Sequence, residues 1–68
     1  MEFELQDHEY IQLNQLLKLL GLVETGGEAN QRIVDGEVVV NKETEFQKRK
    51  KLRAGDIVLF QKRTIKIV

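Results

Sequence analysis

The leucine spacing near the start of the chain determines its first large element. Four leucines follow the i, i+3, i+4, i+7 pattern, at Leu13, Leu16, Leu17 and Leu20. This pattern places them on one face of an amphipathic helix. We expect the helix to begin at Ile11 and to end at Gly21, a typical helix stop. Its polar side carries Gln12, Gln15 and Lys18.

A second helix is predicted by the segment Thr25-Gly26-Gly27-Glu28. Thr25 has the position of an N-cap, and Glu28 lies where its carboxylate could bond the amide of the capping residue, which is a capping box. Ala29 and Ile33 form the apolar stripe, and Gly36 ends the helix. Because residues 21–25 are a short link, the two helices should form a tight helical hairpin.

The rest of the chain has the composition and alternation of short strands. They are predicted at residues 1–5, 37–41, 44–47, 57–60 and 64–68. Turns are expected at Asn41-Lys42, at Ala54-Gly55-Asp56 and at Lys62-Arg63. With 68 residues the chain has room for one domain, over residues 1–68. We predict an α+β fold in which the helical hairpin packs on a small, mostly antiparallel β-sheet.

The inventory of side chains offers little for catalysis or metal binding. His8 is the only histidine and there is no cysteine, so a metal site or a general base would lack partners. Thr25 has no base placed to activate it, and helix capping accounts for it. We therefore expect no enzyme activity, no cofactor and no metal. Thr25 and Gly26 could still contact a phosphate at the helix start.

The start of the chain does not resemble a targeting segment. Residues 1–10 carry four acidic side chains and no apolar run, unlike a signal peptide. No apolar stretch approaches the roughly 20 residues of a membrane span. The expectation is a small cytoplasmic protein that does not enter a membrane.

The formal net charge of zero hides a strong segregation of charge along the chain. Residues 1–31 hold six acidic side chains and one basic one, a balance of −5. Residues 32–68 hold ten basic and five acidic side chains, a balance of +5. Because the Debye length is only about 8 Å at physiological salt, each region is felt locally by a partner.

The densest charge is the basic run, residues 48–53, which contains Lys48, Arg49, Lys50, Lys51 and Arg53. Lysine on an edge strand discourages aggregation, so a solvated surface is one reading. Four consecutive bases repel one another, however, and a structural surface usually intersperses acids. Local physics therefore favours an anion-binding site. Phe46 and Leu52 are expected to anchor the run to the core.

The pattern over residues 13–58 resembles the alpha-L RNA-binding motif, the domain of small-subunit ribosomal protein S4. The resemblance is carried by Leu13-x-x-Leu16-Leu17-Lys18-x-x-Gly21-Leu22, Thr25-Gly26-Gly27-Glu28-Ala29, Gly36-x-Val38-x-Val40-Asn41 and Gly55-Asp56-x-Val58. The same domain occurs in pseudouridine synthases, tyrosyl-tRNA synthetases and a heat-shock ribosome-recycling protein. The most similar members are small stand-alone bacterial proteins.

The resemblance implies a non-catalytic protein that binds structured RNA such as rRNA or a tRNA-like fold. The chain departs from the family at Gln12, Gln15 and Gly26, where arginine or lysine is common, and Lys42 replaces a common glycine. The expected surface therefore moves to the second helix and the 42–53 hairpin region. Its predicted RNA-binding residues are Lys18, Gln31, Arg32, Asn41, Lys42, Lys48, Arg49, Lys50, Lys51 and Arg53.

The mode of binding expected from the sequence is contact with phosphate and 2′-hydroxyl groups. Phe3, Phe46 and Phe60 are all expected in the core, which disfavours recognition of single strands by base stacking. The acidic residues 2–9 would face away from the RNA or orient the protein on it. Two other functions stay open: a helix-turn-helix DNA-binding protein, and a protein-interaction module on a ribosome-associated assembly. A monomer is expected.

Overall fold

The helical hairpin leads into a sheet of short strands in the computed structural model, which describes all residues from Met1 to Val68. The elements are β1 (Glu2–Phe3), β2 (Ile11–Gln12), α1 (Leu13–Leu19), α2 (Gly26–Val34), β3 (Val38–Val40), β4 (Glu43–Thr44), β5 (Lys51–Leu52), β6 (Ile57–Phe60) and β7 (Arg63–Ile67). Neither helix is long and apolar enough to cross a membrane.

Two sheets organise the strands. The larger has the order β1-β7-β6-β3-β4. Its pairs are antiparallel except β1–β7, which is parallel. The smaller consists of β2 and β5, paired antiparallel. The predicted α+β fold, with two helices on a mostly antiparallel sheet, is confirmed.

The core is one cluster of buried side chains, all of them hydrophobic. Leu13, Leu16 and Leu17 contribute the buried face of α1, as their spacing predicts. Ala29 and Ile33 contribute that of α2. The inward-facing residues of the larger sheet join them: Val38, Val40, Val58, Phe60, Ile65 and Ile67. Leu5, Ile11, Val23 and Leu52 complete the cluster. Alternation along β6 and β7 therefore explains how a short chain buries a continuous apolar layer.

The ends of the helices differ from the prediction in detail. α1 begins at Leu13 because Ile11 and Gln12 pair with β5 instead. It ends before Gly21, whose φ of 72° is the left-handed conformation that glycine adopts without strain. At α2, Thr25 Oγ1 accepts from Glu28 N at 3.0 Å, as expected. Glu28 Oε1 accepts from Glu24 N rather than from the Thr25 amide.

Two hairpins are closed by two-residue turns at Asn41-Lys42 and Gln61-Lys62. All four residues have positive φ, between 50° and 71°, as a type I′ turn requires. The second turn therefore lies one residue earlier than the predicted Lys62-Arg63 turn. The strand predicted at 44–47 is the two-residue β4, Glu43–Thr44.

The prediction that all three phenylalanines lie in the core is wrong for Phe46. Phe60 is fully buried and Phe3 is partly buried against the core, but Phe46 is 60% exposed. The hydrogen bond from Glu45 N to Val38 O extends the contact between the two strands by one residue, and the Phe46 ring that follows lies beside Gly36 at the surface. Leu52 alone anchors the basic run, and it is fully buried as predicted.

Candidate nucleic-acid interface

The basic run is divided between a loop and a strand. Residues 47–50, here called the basic loop, form a turn in which Lys50 N donates to Gln47 O at 3.2 Å. Lys51 and Leu52 then form β5, with Lys51 opposite Gln12 and Leu52 opposite Ile11. Since Leu52 faces inward, Lys51 points outward.

The basic loop is held on the start of α1 by backbone hydrogen bonds. Leu13 N donates to Lys50 O at 2.9 Å, and Asn14 N donates to Lys48 O at 3.1 Å. These are amides of the first turn, which have no acceptor within the helix. Gln12 supplies no side-chain cap, so the loop carbonyls take that role. The loop backbone thus faces the helix, which leaves its basic side chains to solvent.

The five cations of the basic run are free of ion pairs. Lys48, Arg49, Lys51 and Arg53 are exposed and Lys50 is half-buried. The only salt bridges in the structure involve Arg32. The charge of the run is therefore available to an external anion.

Arg32, which the sequence predicts as part of the surface, lies between two carboxylates. Its guanidinium donates to Glu37 Oε1 at 3.0 Å and to Glu28 Oε2 at 3.4 Å. The hydrogen bond and charge of Glu37, with a smaller effect of Glu28, raise the pKa of Arg32 above its ordinary value. Arg32 and its partners together carry a net negative charge, so they add no attraction for phosphate.

The two predicted amide contacts are also engaged within the protein. Gln31 Nε2 donates to Asp35 Oδ1 at 2.9 Å on the exposed face of α2. Asn41 Nδ2 donates to Asp56 Oδ1 at 3.0 Å, and Asn41 Oδ1 accepts from Ile57 N at 2.9 Å. Asn41 therefore joins the β3–β4 hairpin to the turn before β6.

The remaining predicted residues lie on three different elements; Lys18, Thr25 and Lys42 are exposed and Gly26 is half-buried. Lys18 is in the last turn of α1, and Lys42 is in the β3–β4 turn. Thr25 and Gly26 lie at the start of α2, where the Glu28 carboxylate already accepts from a backbone amide. The predicted residues thus come from α1, α2, the β3–β4 turn and the basic run.

Three residues near the basic run were missed by the sequence reasoning. Lys51 Nζ lies 5.1 Å and Arg53 Cζ 5.7 Å from the centre of the Tyr10 ring. Asn14 Nδ2 donates to Asn30 Oδ1 at 3.0 Å, which links the two helices near the basic loop. Asparagine is a poor residue for a helix interior, and this was the available signal for Asn14 and Asn30. Nothing in the periodicity indicated Tyr10.

The charge segregation along the sequence is only partly kept in space. Residues 1–10, here called the acidic arm, end at Tyr10 and therefore adjoin Lys51 and Arg53. Glu2 is the strand partner of Lys66. No group of His, Cys, Asp and Glu side chains in the structure could hold a metal ion.

Comparison with known proteins finds a matching family model and similar proteins in bacteria. Residues 3–68 match the family model described as the S4 domain. A protein of Escherichia coli (strain K12) named "Putative RNA-binding protein YbcJ" is 38% identical over 66 residues, which are 97% of this chain and 94% of that protein. A protein of Bacillus subtilis (strain 168) named "Probable ribosome maturation protein RlbA" is 40% identical over 52 residues, which are 76% of this chain and 73% of that protein.

A solved structure shares the fold. The solution structure of YbcJ from E. coli is described as revealing an alpha-L motif involved in RNA binding. It matches with a TM-score of 0.74 and 37% sequence identity, covering 98% of this chain and 85% of that chain. The predicted alpha-L architecture is therefore confirmed.

Proposed function

This chain belongs to the S4 domain family, and on that premise we propose that it is a non-catalytic protein that binds structured RNA. The observation that carries the proposal is the basic run: five cations without ion pairs, presented from a loop and a strand that the start of α1 holds in place. A preorganised cationic surface loses little conformational entropy when it meets an anion.

The contacts proposed are chiefly with phosphate groups. Lys48, Arg49, Lys50, Lys51 and Arg53 form the centre of the surface, with Lys18 and Lys42 at its margin. Gln31, Arg32, Asn41, Thr25 and Gly26 are secondary because their polar groups already have partners or lie beside Glu28. Duplex RNA is read largely through its shape, phosphates and 2′-hydroxyls, which suits a site with so few base-reading groups.

The cellular role proposed is that of a small cytoplasmic monomer acting on ribosomal or tRNA-like RNA. The relative named for ribosome maturation supports a ribosome-associated RNA. A helix-turn-helix DNA-binding role is disfavoured, because α2 would enter the major groove with Glu28, Asp35 and a neutralised Arg32. A protein-interaction role for the acidic arm is the other alternative.

The test compares two triple variants of equal charge change. Lys48, Arg49 and Lys51 are changed to Gln in one, and Lys62, Arg63 and Lys66 are changed to Gln in the control. Binding to a structured RNA is measured by fluorescence anisotropy across a salt series. For four to five phosphates neutralised, the slope of log K against log salt should be about −3 to −4 for the unaltered protein. In the variant with Lys48, Arg49 and Lys51 changed to Gln, this slope should become less negative by about 2 to 3.

The control variant should keep the slope and the affinity within a small factor. A slope near zero for the unaltered protein, or an equal loss in both variants, would contradict the proposed surface. Duplex DNA of matched length is titrated in parallel, and tighter binding to DNA would favour the helix-turn-helix alternative. If a variant no longer binds RNA but still binds a protein partner, that partner must bind another face of the protein.

A further inference from the structure

A groove of about 410 Å³ runs between the acidic arm and α1. Phe3, Tyr10 and Leu19 are among its apolar lining residues. Glu4, Gln6 and Gln15 supply polar groups along the same walls. An apolar recess of this size with a few polar groups has the composition of a small-ligand site, for which roughly 300–1,000 Å³ is usual.

The groove adjoins the cations of the basic run at Tyr10. Tyr10 is 37% exposed, and Lys51 Nζ and Arg53 Cζ lie 5.1 and 5.7 Å from the centre of its ring. Gln15 and Leu19 also line a second, smaller depression of about 230 Å³, together with Lys18. Cations therefore stand beside the groove, whereas Glu4 lies inside it. A ligand with an anionic part and a planar, hydrogen-bonding part fits this separation of charge.

We propose that this groove binds one unpaired nucleobase of the bound RNA, with the phosphate of that nucleotide held by Lys51 and Arg53. The proposal rests on the RNA-binding function proposed above and extends it to a site for an extruded base. The ring of Tyr10 packs against the base, as aromatic side chains do in single-strand recognition. Glu4 accepts hydrogen bonds from base N–H groups, and the amides of Gln6 and Gln15 can donate or accept.

The charges favour a nucleotide over an apolar peptide segment. The polar groups of the lining are the carboxylate of Glu4, the imidazole of His8 and the amides of Gln6 and Gln15. An aliphatic side chain could not form hydrogen bonds with any of them. The negative arm repels phosphate from its own side, so the nucleotide can enter in one orientation only. The expectation that base stacking is disfavoured rested on placing the three phenylalanines in the core, and it considered neither the exposure of Phe46 nor that of Tyr10.

The test uses two RNA hairpins that differ by a single bulged uridine, measured with the full-length protein. We expect the bulged hairpin to bind about tenfold tighter, because stacking of one base on an aromatic ring is worth about 1–3 kcal/mol. Tyr10→Leu should reduce the affinity for the bulged hairpin to that of the paired one. Tyr10→Phe should retain the preference, because it keeps the ring.

A second pair of variants blocks the groove without touching Tyr10. Leu19→Glu places a charge in the groove at a side chain that is 68% exposed, so folding should be unaffected. Val34→Glu is the matched control on α2, at a side chain that is 47% exposed and outside the groove. Leu19→Glu should abolish the preference for the bulge, and Val34→Glu should preserve it.

The outcomes distinguish failure of the proposed base site from failure of the proposed RNA-binding function. Equal affinity for the two hairpins, or a preference that survives both Tyr10→Leu and Leu19→Glu, would overturn the base site and leave the basic surface standing. Absence of binding to either hairpin would overturn both proposals. In a direct readout, 5-iodouridine at the bulge should photo-crosslink to the peptide that contains Tyr10. A crosslink confined to other segments would contradict the site, as would occupation of the groove by a protein partner.

Discussion

At the scale of single residues, the signature shared with the family is explained by hydrogen bonds within the chain. Asp56 receives two of them, from Arg53 N at 2.8 Å and from Asn41 Nδ2 at 3.0 Å. Asn41 accepts in turn from Ile57 N. The Asn and the Gly-Asp of the sequence pattern, far apart in the chain, are thus one cluster that fixes where the basic run ends. Their pairing could not be predicted from spacing, because it depends on the hairpin register.

Lys42 has the largest positive φ of all the residues that are not glycine. It has φ of 71° in a turn whose second position favours glycine. We expect Lys42→Gly to raise the free energy of unfolding by about 0.5–1 kcal/mol. A residue with a side chain costs about 1–2 kcal/mol in the left-handed region, and glycine avoids this cost. Part of the gain is offset because glycine loses more backbone entropy on folding. Thermal unfolding should shift upward by a few degrees, at roughly 4–8 °C per kcal/mol.

Lys42→Gln is the control for this substitution, because it removes the same charge and keeps a side chain at the strained position. It should leave the melting temperature near that of the unaltered protein. Equal stabilisation by both substitutions would assign the effect to charge and not to the backbone. Comparing the two variants in RNA binding then separates the charge of Lys42 from the conformation of its turn.

At the scale of elements, the sequence predicted both helices and most strands, and the two strands that it did not predict are β2 and β5. The leucine spacing of α1, the cap of α2 and the β6–β7 hairpin all have a repeating signal or a local hydrogen bond behind them. The pairing of β2 with β5 has neither, because each strand has two residues. This pairing decides where α1 starts, how the basic loop is held and which side chains surround Tyr10. The candidate site was therefore predicted by charge, while its geometry was not.

The link between β5 and α1 gives a prediction for local stability. Leu52 is fully buried, and Leu52→Val should destabilise the protein by about 1 kcal/mol while preserving the fold. Because Leu52 anchors the loop whose carbonyls accept from Leu13 N and Asn14 N, hydrogen exchange should accelerate at these two amides more than in β7. Ile65→Val, in β7, is the control and should not show this bias. Equal acceleration at all amides in the Leu52 variant would contradict a specific role for the loop.

At the scale of the whole molecule, each charged group affects a partner only over a short distance. The molecule measures 29 × 23 × 19 Å, which is several times the Debye length of about 8 Å at physiological salt. Acidic residues far from the basic run are therefore screened from it, and the neutral total says little about RNA binding. The part of the acidic arm next to Tyr10 is the exception, because Lys51 and Arg53 lie over that ring.

This proximity predicts that the acidic arm weakens and orients RNA binding. Asp7→Asn combined with Glu9→Gln should raise the affinity for structured RNA about threefold to tenfold at low salt, since two repulsive charges near the phosphates are removed. The gain should disappear at about 0.5 M salt, where screening reaches within a few ångströms. Anisotropy titrations at both salt concentrations allow the affinity of each variant at low salt to be compared with its own affinity at high salt. An unchanged affinity at low salt would mean that the RNA approaches from a side that the arm does not face. It would also favour a separate partner for the acidic arm.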